Sequence, residues 1–211
     1  MPYQPKIKIC GITNIADARA AVESGADFIG LNFYRKSPRY IDVVEAAKIV
    51  RSLKQSVKIV GVFVNERADI VCETARSLAI DAIQLHGDET LEFAASVAKA
   101  ADVTLIKAVR IGPNSQAPGL PLQPFGYFLL DALADGVYGG SGLTIDWRIA
   151  RDVSLHNKNI FLAGGLTPDN VKNAIEIVHP FAVDVCSSIE CLPGKKDHQK
   201  MKQFIEAVKL G

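Results

Sequence analysis

The chain has 211 residues, 48% of them hydrophobic and 22% charged, with a formal net charge of +1. That is a globular composition, long enough for one large domain or two small ones, and its near-neutrality leaves no electrostatic footprint for DNA, RNA or anionic lipid. No apolar stretch is long enough to span a bilayer, and Met1-Pro2-Tyr3-Gln4-Pro5-Lys6 lacks an apolar leader core, so the expectation is a cytoplasmic protein with reduced thiols and no nucleic-acid or membrane partner.

Short β-branched runs alternate with helical patterns along the whole chain. The first run, Ile7-Lys8-Ile9-Cys10, reads as a buried strand that stops at Gly11 and leads into a helix capped by Thr13 or Asn14. That helix, through Asp17 to Ser24, closes on Gly25 at the position after its end. A strand begins near Phe28, and Val43 to Leu53 predicts a helix with Val43, Ala46, Ala47, Val50 and Leu53 on one face. Further strands begin near Ile59, Ile80 and Leu105. The stretch from Gly112 to Pro121 holds three prolines and two glycines, so an irregular connection is expected there in place of a helix. The sixth strand starts near Tyr127 and ends on Asp131, ahead of the loop Tyr138-Gly139-Gly140-Ser141-Gly142. The seventh starts near Ile160 and leads to Gly164-Gly165, with Thr167 as a helix cap and Pro168 at the first helical position. The eighth starts near Val183, and Met201 to Val208 forms a final amphipathic helix.

Eight such units in a chain of this length predict an α/β fold, a single (β/α)8 TIM barrel over residues 1–211, irregular where its fifth helix would be. A doubly wound open sheet is the alternative. It usually carries a Gly-x-Gly-x-x-Gly turn, and Cys10-Gly11-Ile12-Thr13 is not one.

In a barrel, function gathers where the strands end. Polar residues close nearly every apolar run here: Cys10, Asn32, Asn65, His86, Lys107, Asp131, Gly164-Gly165 and Ser187-Ser188. Cys10 reads as a packed small hydrophobe or a reactive thiol. Asp131, at the end of Phe128-Leu129-Leu130, reads as a partly desolvated carboxyl able to donate a proton, or as a cap. Paired glycines after the seventh strand and two hydroxyls after the eighth read as an anion site for phosphate, or the glycines serve turn geometry alone. Arg39 offers a guanidinium to a carboxylate or to solvent, and His86 orients a group or serves the structure. The four cysteines and four histidines show no metal-ligand spacing, so no metal and no cofactor is expected.

Taken in order, these segments resemble the phosphoribosylanthranilate isomerase family of tryptophan biosynthesis. The resemblance rests on Lys8-Ile9-Cys10-Gly11-Ile12-Thr13, Ser37-Pro38-Arg39-Tyr40, Val60-Gly61-Val62-Phe63-Val64-Asn65 and Gln84-Leu85-His86-Gly87-Asp88. It continues through Leu129-Leu130-Asp131, Gly139-Gly140-Ser141-Gly142, Ala163-Gly164-Gly165-Leu166-Thr167-Pro168, Asp184-Val185-Cys186-Ser187-Ser188 and Pro193-Gly194-Lys195-Lys196-Asp197. It implies a (β/α)8 aldose–ketose isomerase working without cofactor, as a monomer or homodimer. The reaction would be the Amadori rearrangement of N-(5′-phosphoribosyl)anthranilate to 1-(2-carboxyphenylamino)-1-deoxyribulose 5-phosphate. Asp131 would be the general acid and Cys10 the general base. Arg39 would hold the anthranilate carboxylate, His86 would contribute to substrate binding, and Gly142, Gly164, Gly165, Ser187 and Ser188 would hold phosphate. Cys186 and Ser188 stand where that family usually has serine and glycine, and Ser188 either strains the loop or adds a hydroxyl donor. The rival readings are another phosphosugar isomerase or epimerase on this fold, and a barrel that binds a phosphorylated ligand without catalysis.

Overall fold

Eight apolar runs become eight parallel strands: β1 (Lys6–Ile9), β2 (Phe28–Asn32), β3 (Lys58–Phe63), β4 (Ala82–Leu85), β5 (Thr104–Ile111), β6 (Tyr127–Ala132), β7 (Ile160–Leu162) and β8 (Ala182–Val185). The computed structural model describes residues 3–53, 56–112, 116–121, 123–133 and 144–210. Each strand pairs with the next, and β8 returns to pair with β1 in the register Lys6 to Ala182 through Ile9 to Val185. Closure decides for the barrel over the open sheet, because a closed ring leaves no unpaired strand edge.

Among the described residues, seven helices surround the ring: α1 (Ile15–Ser24), α2 (Val43–Ser52), α3 (Ala68–Ser77), α4 (Leu91–Ala101), α5 (Trp147–His156), α6 (Val171–Val178) and α7 (His198–Lys209). Capping residues set several of their starts. Asn14 accepts a hydrogen bond from the Asp17 N–H, and Asp42, Thr90, Asp146 and Asp197 act alike at α2, α4, α5 and α7. Between β5 and β6 the described residues contain no helix, as the prolines and glycines predict.

Alternation along each strand gives two cores. Side chains facing outward join the helices in the larger one. Val60, Ile106, Leu129 and Phe161 face inward and fill the lumen with Ala82, Ala108, Ala163 and Ala182.

Several elements depart from expectation. Strand β4 begins at Ala82, because the Ile80 N–H is spent on the Ala75 carbonyl at the end of α3 and Asp81 accepts from the Ile59 N–H. In α2, Ala46 and Ile49 face the core while Val43 is 40% exposed. Helix α6 begins at Val171, not Pro168, because the Asn170 side chain accepts from the Thr167 N–H and donates to the Gly165 carbonyl, holding residues 167–170 as a turn. A short antiparallel hairpin, β9 (Glu190–Leu192) and β10 (Lys195–Lys196), follows a single 3-10 turn at Ser187–Ile189 and was not anticipated. The glycine-rich loop containing Gly142 lies outside the described residues.

Candidate active site

A cleft of about 220 Å3 opens at the C-terminal ends of the strands. Cys10, Arg39, His86, Asp131, Gly164, Gly165, Ser187 and Ser188 all line it. Lys107 and Arg110 do not. Lys107 donates to Glu89 at 2.7 Å and to the Gly87 carbonyl, and Arg110 pairs with Asp88.

Cys10 extends the seam where the barrel closes, its N–H donating to the Val185 carbonyl at 2.9 Å. Two residues back on the same face, Lys8 is fully buried and places Nζ 2.8 Å from Asp184 Oδ1. Cys186 stands one step beyond β8, with its thiol neighbouring that of Cys10. That neighbour, aided by the Lys8 and Lys196 ammonium groups, holds the Cys10 thiol well below its ordinary pKa although burial works the other way. The same contact with Cys10, with burial, pushes the Cys186 thiol up. Burial also pushes the Asp184 carboxyl up to about 7, against the pull of Lys8. A lysine inside an apolar strand, in phase with Cys10, is the sequence signal that would have found this cation.

Asp131 stands one residue before the end of β6, with Oδ1 accepting from the Ala132 N–H at 2.9 Å. Its other oxygen is 3.4 Å from His86 Nε2. Gln84 Nε2 is 2.7 Å from His86 Nδ1, and that amide assignment puts the ring proton on Nε2, facing Asp131. Both Asp131 and His86 are buried against the cleft, where a substrate atom can come between or beside them.

Arg39 is not a solvated surface charge. Its Nε and Nη2 fork the Glu190 carboxylate at 2.8 to 3.2 Å. Glu190 also accepts from Lys196 Nζ at 3.0 Å, so one buried carboxylate ties the loop after β2 to the β9–β10 hairpin. The Nε–Nη2 edge is therefore occupied, and a ligand carboxylate is left the donors of Nη1. The motif that closes the sequence resemblance supplies Lys196, and neither it nor Glu190 was assigned a role from sequence.

The anion-site residues meet across β7 and β8. Gly164 and Gly165 have φ of 79° and 64°, and a Cβ on Gly164 would stand 2.8 Å from the Ala132 backbone nitrogen. Turn geometry alone therefore demands glycine at Gly164, while the same turn brings the backbone to the cleft. Ser188 is outside the left-handed region, so the strain that replacing glycine could introduce is absent. Its hydroxyl donates to the Leu166 carbonyl at 2.5 Å, joining the two loops.

The cleft thus combines an acidic thiol, a carboxyl paired with a histidine and backbone loops suited to an anion. Against known proteins, the family model for N-(5′-phosphoribosyl)anthranilate (PRA) isomerase matches residues 7–207. The N-(5′-phosphoribosyl)anthranilate isomerase of Trichlorobacter lovleyi is 43% identical over 204 residues, covering 97% of this chain and 98% of that protein. The crystal structure of phosphoribosyl anthranilate isomerase from Thermotoga maritima superposes with a TM-score of 0.87 at 39% identity, covering 98% of this chain and 100% of the other. A second solved isomerase, in complex with reduced 1-(o-carboxyphenylamino)-1-deoxyribulose 5-phosphate, gives a TM-score of 0.83 at 38% identity, over 98% and 100% of the two chains.

Proposed function

Because the chain belongs to the N-(5′-phosphoribosyl)anthranilate isomerase family and catalyses that isomerisation, we propose that Cys10 and Asp131 divide its proton transfers between them. Asp131 donates a proton to the ribose ring oxygen, and the ring opens to a Schiff base between C1′ and the anthranilate nitrogen. Cys10, as thiolate, removes the C2′ proton, leaving an enolamine that tautomerises to the C2′ ketone. C1′ is reduced and C2′ oxidised within one molecule, so no external electron acceptor enters. His86, with its proton facing Asp131, steadies the carboxyl for donation. Substrate phosphate lies against Gly164, Gly165, Ser187 and Ser188, and the anthranilate carboxylate meets Arg39 at Nη1.

The observation that carries this reading is that Cys10, beside the buried Lys8 ammonium, lines the same cleft as Asp131, and that ammonium helps hold the thiol below its ordinary pKa. A carbon acid needs a base that is ionised near neutrality, and a thiol at its ordinary pKa is mostly protonated there. Turnover is followed as loss of anthranilate-type fluorescence. Cys10→Ser and Asp131→Asn should each lower kcat by roughly 10²–10⁴-fold, the range for one positioned acid or base. Near-normal rates in either variant would remove that residue from the mechanism.

A further inference from the structure

The proton-transfer scheme uses Cys10 and gives Cys186 no proton of the substrate to move. Yet the two thiols are neighbours across the seam of the barrel. Ile9 is in register with Val185, so Cys10 and Cys186 are the first residues beyond two paired strand ends, and both face the cleft. Neighbouring strands lie ~4.8 Å apart, within the Cα span a disulfide bridges without backbone movement. The sulfur of Cys186 packs over the end of β1: a Cβ on Gly11 would meet it at 2.9 Å. Both cysteines line the open cleft, so a small solute reaches them, whereas Cys72 is buried elsewhere in the outer core.

We propose that Cys10 and Cys186 form an oxidation site for hydrogen peroxide, in which Cys10 is the peroxidatic thiolate and Cys186 the resolving thiol. The Cys10 thiolate attacks one peroxide oxygen. An S–O bond forms, the O–O bond breaks and hydroxide leaves, so sulfur loses two electrons to the peroxide and becomes a sulfenic acid. Cys186 then gives up its proton and attacks that sulfur. An S–S bond forms, the S–O bond breaks and water leaves. The second step follows from the first: a sulfenic acid is neutral, so Cys186 loses the neighbouring negative charge, while Lys196 Nζ at 3.7 Å remains beside it. Glu190 Oε1 lies 3.9 Å from the same sulfur and relays the thiol proton to the departing hydroxide, which leaves as water. The disulfide removes the base from the reaction and blocks irreversible oxidation to the sulfinic acid, and a dithiol restores both thiols.

The inference rests on Cys10 being the reactive thiolate proposed above, and its test reads the sulfur chemistry without turnover. Intact protein is titrated with hydrogen peroxide, alkylated, digested and mapped by mass spectrometry, with activity measured in parallel. The wild type should become two hydrogens lighter, show a Cys10–Cys186 cross-linked peptide, lose activity in step with it, and recover with dithiothreitol. Cys186→Ser and Cys186→Ala should form no such peptide, accumulate one and then two oxygens on Cys10, and resist recovery once doubly oxygenated. The proposal is overturned if wild-type Cys10 collects oxygens without joining Cys186, if it joins Cys191 instead, or if the Cys186 variants recover as fully as wild type. A cross-linked protein with full activity would confirm the oxidation site while refuting Cys10 as base.

Discussion

Cys10 has its acidity from neighbours rather than from its own position. The neighbouring Cys186 thiol favours the thiolate and Lys8 places a positive charge beside it, and together they overcome burial, which favours the neutral form. Lys8→Met removes the cation and leaves the thiol contact. The pH midpoint for iodoacetamide reaction at Cys10 should rise by roughly one pH unit or more, a change of about 1.4 kcal/mol in favour of the thiol. An unmoved midpoint would show that Lys8 does not sustain the thiolate. Asp184 makes the opposite kind of statement. Its carboxyl rises from 3.8 to about 7 in the folded chain, so folding takes up a proton between those values. A raised pKa contributes stability below the unfolded value and loses it as pH climbs through the folded one. Wild-type stability relative to Asp184→Asn should therefore decline between about pH 4 and pH 7 in urea melts. A difference that grows with pH would contradict the burial of this carboxyl. At this scale the place of Cys10, Asp131 and Arg39 in the cleft was readable because the barrel rule directs attention to strand ends and the loops that follow. Lys8 and Asp184 were not, since each is one polar residue among aliphatic neighbours until closure sets them 2.8 Å apart.

Elements were legible where local chemistry decides them. Strands buried on both faces need continuous apolar runs, and all eight can be found that way. Prolines and glycines equally ruled out a helix after β5. Boundaries failed where a partner distant in sequence, or a side chain folding back, takes over. Asp81 anchors Ile59 across the β3–β4 edge and delays β4, and Asn170 holds residues 167–170 as a turn ahead of α6. The β9–β10 hairpin was invisible for a similar reason: it forms around buried Lys196, whose partners are the Cys186 carbonyl and Glu190. The turn after β7 carries its own prediction. At Gly164 an added Cβ meets backbone at Ala132, which cannot swing aside as a side chain would, and φ is 79°. Gly164→Ala should cost about 1–3 kcal/mol and lower the melting temperature by roughly 2–12 °C. It should also raise KM, because Gly165 moves with it. A melt matching wild type would mean the turn relaxes without strain.

In the whole molecule, the outer core is only complete when the last helix docks. Met201, Phe204, Ile205 and Val208 on α7 are each at most 1% exposed. Four such side chains contribute about 6–12 kcal/mol of burial, comparable to the entire ~5–15 kcal/mol net stability of a domain. A chain ending at Asp197 should therefore show no cooperative unfolding transition in urea by circular dichroism; a sharp transition near the wild-type midpoint would show that the barrel stands without α7. The same completeness governs the chemistry, because the seam pairs the first strand with the last. Lys8 and Asp184 are 176 positions apart in sequence, and Cys186 comes later still. During synthesis the amino-terminal strand emerges first. Until β8 has followed it, the cysteine there has neither the thiol that lowers its pKa nor a barrel to hold the lysine beside it. A growing chain on the ribosome thus carries an ordinary thiol, and the reactive one comes into being only after β8 and Cys186 have been made and the ring has closed.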